Sequence, residues 1–353
     1  MKLHRLVVCA LCAVLAWLAT PATAWIRSPA VNFATLPAGT AHPEGIAADA
    51  QGNIYVADFD VSKASGPGNI VIFDHAGKLV RKLDVAGSSP LLLGLAFHPT
   101  SGALLLLDFG NGQVLSVNTQ TGAATTFSSI GAPPAHGING ITFDAAGNVY
   151  VSDSFAATIW KIAPSGGPAS AWVSDAATLG TSGVPPFGAN GIAFNSARSA
   201  MFVANTGNDT IVKIPVNANG SAGTPAIFVN SINGADGLII DGADNLWVAA
   251  NQADEIVVVD TTGRVIAKLG DFDGIDSHGA ARGLLFPASL VYSNGFIYVT
   301  NLALDLKTAV GALAVDSAWA AAVTQFTVAR IRALIPPFSP ATAFRPPMGP
   351  MGP

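Results

Sequence analysis

One short unit, any residue followed by Gly, an apolar residue, any residue and another apolar residue, recurs along the whole chain. Its copies start at Glu44-Gly45-Ile46, Leu93-Gly94-Leu95, Asn139-Gly140-Ile141, Asn190-Gly191-Ile192 and Asp236-Gly237-Leu238, with a weaker sixth at Ala288-Ser289-Leu290. Successive copies lie 49, 46, 51, 46 and 52 residues apart. Each is followed by a polar turn and then by an apolar strand that ends in or beside Asp or Asn. A period near 45 to 50 residues, read this way, matches one four-stranded blade of a β-propeller.

Blade one illustrates the reading. Gly45 to Ala48 is its first strand, and Asp49-Ala50-Gln51-Gly52-Asn53 is a turn rich in Asx and Gly. Ile54 to Ala57, Asn69 to Phe73 and Lys78 to Leu83 follow as strands two to four. The sixth unit lacks a fourth strand before the chain becomes Pro-rich. Val31 to Leu36, which precedes the first unit, supplies it, leaving no open edge. The expectation is therefore an all-β chain, a six-bladed β-propeller with four-stranded blades, closed by an N-terminal strand in the last blade. The 37 Gly and the charged fraction of only 11% agree with tight turns and buried strands.

Both ends fall outside the repeat. Lys2, His4 and Arg5, an apolar run from Leu6 to Leu18 and the small-x-small site Ala22-Thr23-Ala24 read as a signal peptide over residues 1–24. The run is shorter than the roughly 20 residues a membrane span needs. The domain reading is residues 1–24 signal peptide, 25–335 propeller and 336–353 a Pro-rich, disordered tail. The mature protein would be exported, periplasmic or secreted, without a span. Both cysteines, Cys9 and Cys12, lie in the removed leader, which excludes thiol catalysis and thiolate metal sites. Loss of Lys2 and Arg5 would take the formal charge from −5 to −7. No Lys/Arg cluster exists, so no nucleic-acid partner is expected, and the chain is expected to be a monomer.

The first position of each unit carries the chemistry. It stands just before the innermost strand and points into the central channel. Read in blade order these positions are Glu44, Leu93, Asn139, Asn190, Asp236 and Ala288. Two carboxylates and two amides from four blades converge on one axis. As hard oxygen donors they suit Ca²⁺, whereas Zn²⁺ prefers His or Cys. Glu44, Asn139, Asn190 and Asp236 are thus the expected metal ligands. A second ring, at the end of strand two, reads Asp58, Asp108, Asp153, Asn205, Ala250 and Asn301. From it Asp58, Asp153 and Asn205, together with His278 in the loop entering blade six, are the expected substrate contacts. His42 and His136 also lie near this face. Leu302 to Val323 interrupts blade six as a short helical insertion, either packing filler or a lid or apolar wall over the pocket.

The in-phase set Pro43-Glu44-Gly45, Asn139-Gly140-Ile141, Asn190-Gly191-Ile192-Ala193-Phe194 and Asp236-Gly237-Leu238 resembles the calcium-dependent six-bladed hydrolases, the gluconolactonase/regucalcin family with diisopropylfluorophosphatase and paraoxonase. The resemblance covers roughly residues 30 to 335. It implies one Ca²⁺ in the channel and a small-molecule lactone or ester substrate. It also implies an acid at the metal acting as base or nucleophile, Asp236 first and Glu44 second. Ala250, with Asn251 after it, departs from the family pattern. The stretches Gly-Asn-[Ile/Val]-Tyr-Val-[Ala/Ser]-Asp resemble NHL repeats as well. The alternative is therefore a non-catalytic propeller serving as a binding scaffold, which would need neither Glu44 nor Asp236.

Overall fold

The computed structural model describes residues 27–311, 316–335 and 339–340. Residues 1–24, read above as a signal peptide, and all of the Pro-rich tail except Ser339–Pro340 lie outside the described residues. Ser339–Pro340 pairs with Leu334–Ile335.

Six antiparallel sheets of four strands each form the ring. Blade 1 contains Pro43–Ala48, Ile54–Asp58, Asn69–Phe73 and Leu79–Asp84. The innermost strands of blades 2 to 6 are Leu92–Phe97, Ile138–Phe143, Ala189–Phe194, Ala235–Ile240 and Pro287–Ser293. In blade 6 the outer strand is Val31–Thr35, which pairs with Thr327–Arg332 so that Val31 meets Arg330. The first strand of the chain thus closes the last blade, as the repeat requires.

Buried apolar side chains collect between neighbouring blades rather than in one central mass. Ala47, Tyr55, Ile70 and Leu83 of blade 1 pack on Leu92, Leu95, Leu106 and Leu115 of blade 2. Trp247, Ile256 and Leu269 of blade 5 pack in the same way on Leu290, Ile297 and Ile331 of blade 6. The polar turn between strands one and two recurs with the same bonds. Asp49, Asp144 and Asp241 each accept backbone N–H groups of their own turn and a side-chain N–H from Asn53, Asn148 and Asn245. An aromatic O–H or N–H from Tyr55, Tyr150 and Trp247 completes each set.

Two details add to the expectation. Among the described residues the insertion forms two short helices, α1 (Leu306–Val310) and α2 (Ser317–Ala320). Asp305 caps α1, its Oδ1 accepting from the Lys307 N–H, and Gly311 ends it in the left-handed conformation. The loop entering blade 6 is itself a small ribbon, Phe272–Ile275 against Ala281–Gly283, with Asp276 capping its turn.

Candidate metal centre at the head of the channel

The first position of each unit lies inside the innermost strand, not before it. In every blade it is the second residue of that strand, and the ladder slips there by one residue. In blade 1, Pro43 pairs with Asp58 and Ile46 with Val56, leaving Glu44 and Gly45 unpaired. The same irregularity recurs in blades 2 to 6. Such a bulge re-aims the side chain it carries. The glycine that follows is required by close approach. A methyl group at Gly45 would collide with the Leu93 carbonyl of blade 2, and one at Gly191 with the Asp236 carbonyl of blade 5. The inner strands of blades 1 to 5 therefore rest on the next blade through a bare Cα, whereas blade 6 has Ser289 at this position. Hydroxyls bridge two of the junctions: Thr300 Oγ1 donates to the Glu44 carbonyl at 2.7 Å, and Ser152 Oγ to the Asn190 carbonyl.

The result brings Glu44, Asn139, Asn190 and Asp236 together on one cavity of about 40 Å³ at the head of the channel. All four are buried, with 4 or 5% exposure. Asn251 and Thr206 join them. Asn251 Nδ2 donates to Asp236 Oδ2 at 3.0 Å, and Asn190 Nδ2 donates to Thr206 Oγ1 at 2.9 Å. Two buried carboxylate oxygens on residues lining this cavity have no hydrogen-bond partner: Glu44 Oε2 and Asp236 Oδ1. Buried acceptors are almost always satisfied, so two orphaned carboxylate oxygens beside one small space mark a place built for a donor or a cation.

Electrostatics lead to the same conclusion. Burial, and then the neighbouring Asp236 charge, push the Glu44 carboxyl well above its usual range. Burial pushes Asp236 up to about 7, opposed by the neighbouring side-chain amides of Asn251 and Asn190. Two adjacent buried carboxylates resist joint ionisation unless a positive charge stands between them. Among the described residues no group of three or more His, Cys, Asp or Glu could hold a metal. Two carboxylates and amide oxygens are the donor set available here, and an all-oxygen set of this kind suits Ca²⁺.

The expected substrate contacts do not line this cavity. Asp58 Oδ1 accepts the Ala41 N–H at 2.7 Å. Asp153 accepts from the Gly137, Phe155 and Ala156 N–H groups, and His136 Nδ1 lies 2.8 Å from its Oδ2. Asn205 donates to the Thr178 and Gly180 carbonyls, and Asp108 binds Ser89 and Asn111. These side chains clamp their own loops. His278 is exposed on the ribbon turn, and His42 Nδ1 is 3.0 Å from the Leu302 carbonyl. The register gives the reason. Asp58, Asp153 and Asn205 pair with Pro43, Ile138 and Ala189, the residues before the ring, so they share the position of those residues rather than of the ligands. The cavity-lining residues of strand two come one place later: Phe59, Thr206, Asn251 and Leu302. Asn251 is therefore in phase with its counterparts. The displaced polar residue after Ala250 was the signal in the sequence that could have corrected the ring.

Residues 187–270, which span blades 4 and 5 with Asn190, Asp236 and Asn251, match the family model described as the SMP-30/Gluconolactonase/LRE-like region. No curated protein shows a significant match. Among solved structures, a luciferin-regenerating enzyme superposes with a TM-score of 0.61 at 15% identity, over 88% of this chain and 95% of that one. A calcium-binding protein, regucalcin from Agrobacterium tumefaciens str. C58, gives 0.60 at 15% identity over 90% and 98%. A catalytically inactive virginiamycin B lyase from Staphylococcus aureus gives 0.51 at 14% identity over 77% and 80%. Likeness at such identities establishes the fold. The resemblance to gluconolactonase/regucalcin-like propellers thus rests on the matched segment and on the shared six-bladed ring.

Proposed function

We propose that this chain is an exported calcium-dependent hydrolase that opens lactones or cleaves related esters at the head of the channel. The observation that carries the reading is the pair of unpartnered buried carboxylate oxygens, Glu44 Oε2 and Asp236 Oδ1, on residues that line one cavity. The family-model match supports a lactonase-type activity, and the N-terminal pattern supports export. Glu44, Asn139, Asn190 and Asp236 would hold the ion. Bound Ca²⁺ would supply Lewis acidity at the substrate carbonyl and neutralise the paired carboxylates.

The chain's own residues do the rest. Asn251 fixes Asp236 through Oδ2 and leaves its Oδ1 without a partner. Asp236 takes the proton of the attacking water. The water oxygen bonds to the carbonyl carbon, the ring C–O bond breaks, and the proton passes to the departing alkoxide, giving a hydroxy acid. Purified mature protein should contain near one Ca²⁺ per chain and hydrolyse members of a lactone panel. Chelation should remove the activity, and Asp236→Ala should remove metal and activity together. Metal-free protein with no turnover would leave the propeller as a binding scaffold.

A further inference from the structure

The two ring positions without oxygen donors are not idle. Leu93 of blade 2 packs with Phe59 and Phe109, and Leu91 and Phe187 join that cluster. Ala288 of blade 6 packs with Phe286, Leu302, Leu304 and Leu306. Both clusters border the same cavity, through Phe59, Phe187, Phe286, Leu302, Leu304 and Leu306. They flank Glu44 on either side. Phe59 meets Phe109 edge to face, and Phe109 meets Phe155, which reaches the surface at 37% exposure. The residue after strand two follows the same division. It is apolar in blades 6, 1 and 2 (Leu302, Phe59, Phe109) and polar in blades 3, 4 and 5 (Ser154, Thr206, Asn251).

We infer that this site takes lactones or esters with an apolar acyl or alkyl substituent seated over blades 6, 1 and 2, and discriminates against polyhydroxylated sugar lactones. The inference rests on the hydrolase reading for the reaction but not for the pocket. A substrate held at this cavity therefore places any substituent that extends toward blades 6, 1 and 2 against the side chains of the two apolar clusters. Sugar hydroxyls placed there would lose water and find no partner, whereas methylenes would be transferred out of water. No Lys, Arg or His borders the cavity among the described residues. The polar half, with Asn190, Thr206, Asp236 and Asn251, is left for the ester group. Leu304 and Phe59 are the specificity-determining residues of the apolar half.

The test uses calcium-loaded full-length mature protein and two non-hydrolysable probes, a hexyl-substituted lactam and a polyhydroxylated lactam, with calorimetry as the readout. The alkyl lactam should bind at least tenfold more tightly. In parallel, kcat/KM on γ-lactones of increasing chain length should rise about threefold per methylene. Leu304→Asn should reduce both preferences tenfold or more, with Ca²⁺ affinity held within twofold. A tighter polyhydroxylated probe, or a flat chain-length series, would overturn the inference while leaving the hydrolase reading intact. Selective binding of the alkyl lactam with no lactone turnover would do the opposite, sustaining the apolar pocket and removing the reaction. The wild-type comparisons decide the matter even where the Leu304 variant fails to fold.

Discussion

Asp236 and Glu44 are held where a carboxylate is hard to ionise, and the cost is largest in metal-free protein. Asp236, raised to about 7 by burial, favours its protonated form in the folded state. Its contribution to stability is full below about pH 4 and is lost as pH rises through about 7. Glu44 shifts in the same direction. In chelator, the Tm should therefore fall between pH 5 and pH 8, and Asp236→Asn should flatten that fall and raise the Tm at pH 8 by several degrees. The same variant should lose Ca²⁺ affinity by a hundredfold or more in calorimetry. Added Ca²⁺ should stabilise wild type most at the high end of the range, by about 2.7 kcal/mol at a hundredfold excess over Kd. Asn251, which only positions Asp236, should lower Ca²⁺ affinity about 10- to 100-fold when changed to Ala. Asn205→Ala, which breaks two loop clamps, should lower the Tm and leave the affinity of the folded protein nearly unchanged. The four converging side chains were legible in the sequence because they repeat in phase. The residues around them were not, because a single-residue bulge in each inner strand shifts the face on which the next strand's side chains arrive.

At the scale of elements, the inner strand is the part under the tightest constraint. Its second residue sits in a bulge, and in blades 1 to 5 its third is a glycine pressed against the carbonyl of the next blade. Gly191→Ala should destabilise the fold by about 1 to 3 kcal/mol through forced separation of blades 4 and 5, measurable by chemical denaturation. Its effect on Ca²⁺ affinity should exceed that of an equally destabilising change in an outer strand, because Asn190 and Asp236 would move apart. The strands, their turns and the closing role of Val31–Thr35 were readable from alternation and Asx–Gly turns, which are local signals. The ribbon over Phe272–Ile275 and Ala281–Gly283 escaped that reading. Its strands have only four and three residues and no sustained alternation. The insertion's helical character was visible in its Ala-rich composition, but the placement of Leu302, Leu304 and Leu306 against Ala288 is a tertiary contact that no local pattern carries.

For the whole molecule, the ring has one joint that differs from the other five. Between blades 1 and 2, or 4 and 5, neighbouring sheets come from consecutive stretches of chain. Blade 6 is assembled from residues 31–35 and 287–332, so Val31 waits for Arg330. Removing residues 27–36 should lower the Tm by ten degrees or more and expose the Thr327–Arg332 edge, with concentration-dependent association visible by light scattering. The joint also sets an order of events in time. Until Thr327–Arg332 has been made, the ring cannot close, and every earlier blade remains an open arc with one unsatisfied face. By putting the clasp at the two extremes of the propeller, this topology makes completion depend on arrival of the final strand, so that the centre is assembled only after nearly the whole ring has been made.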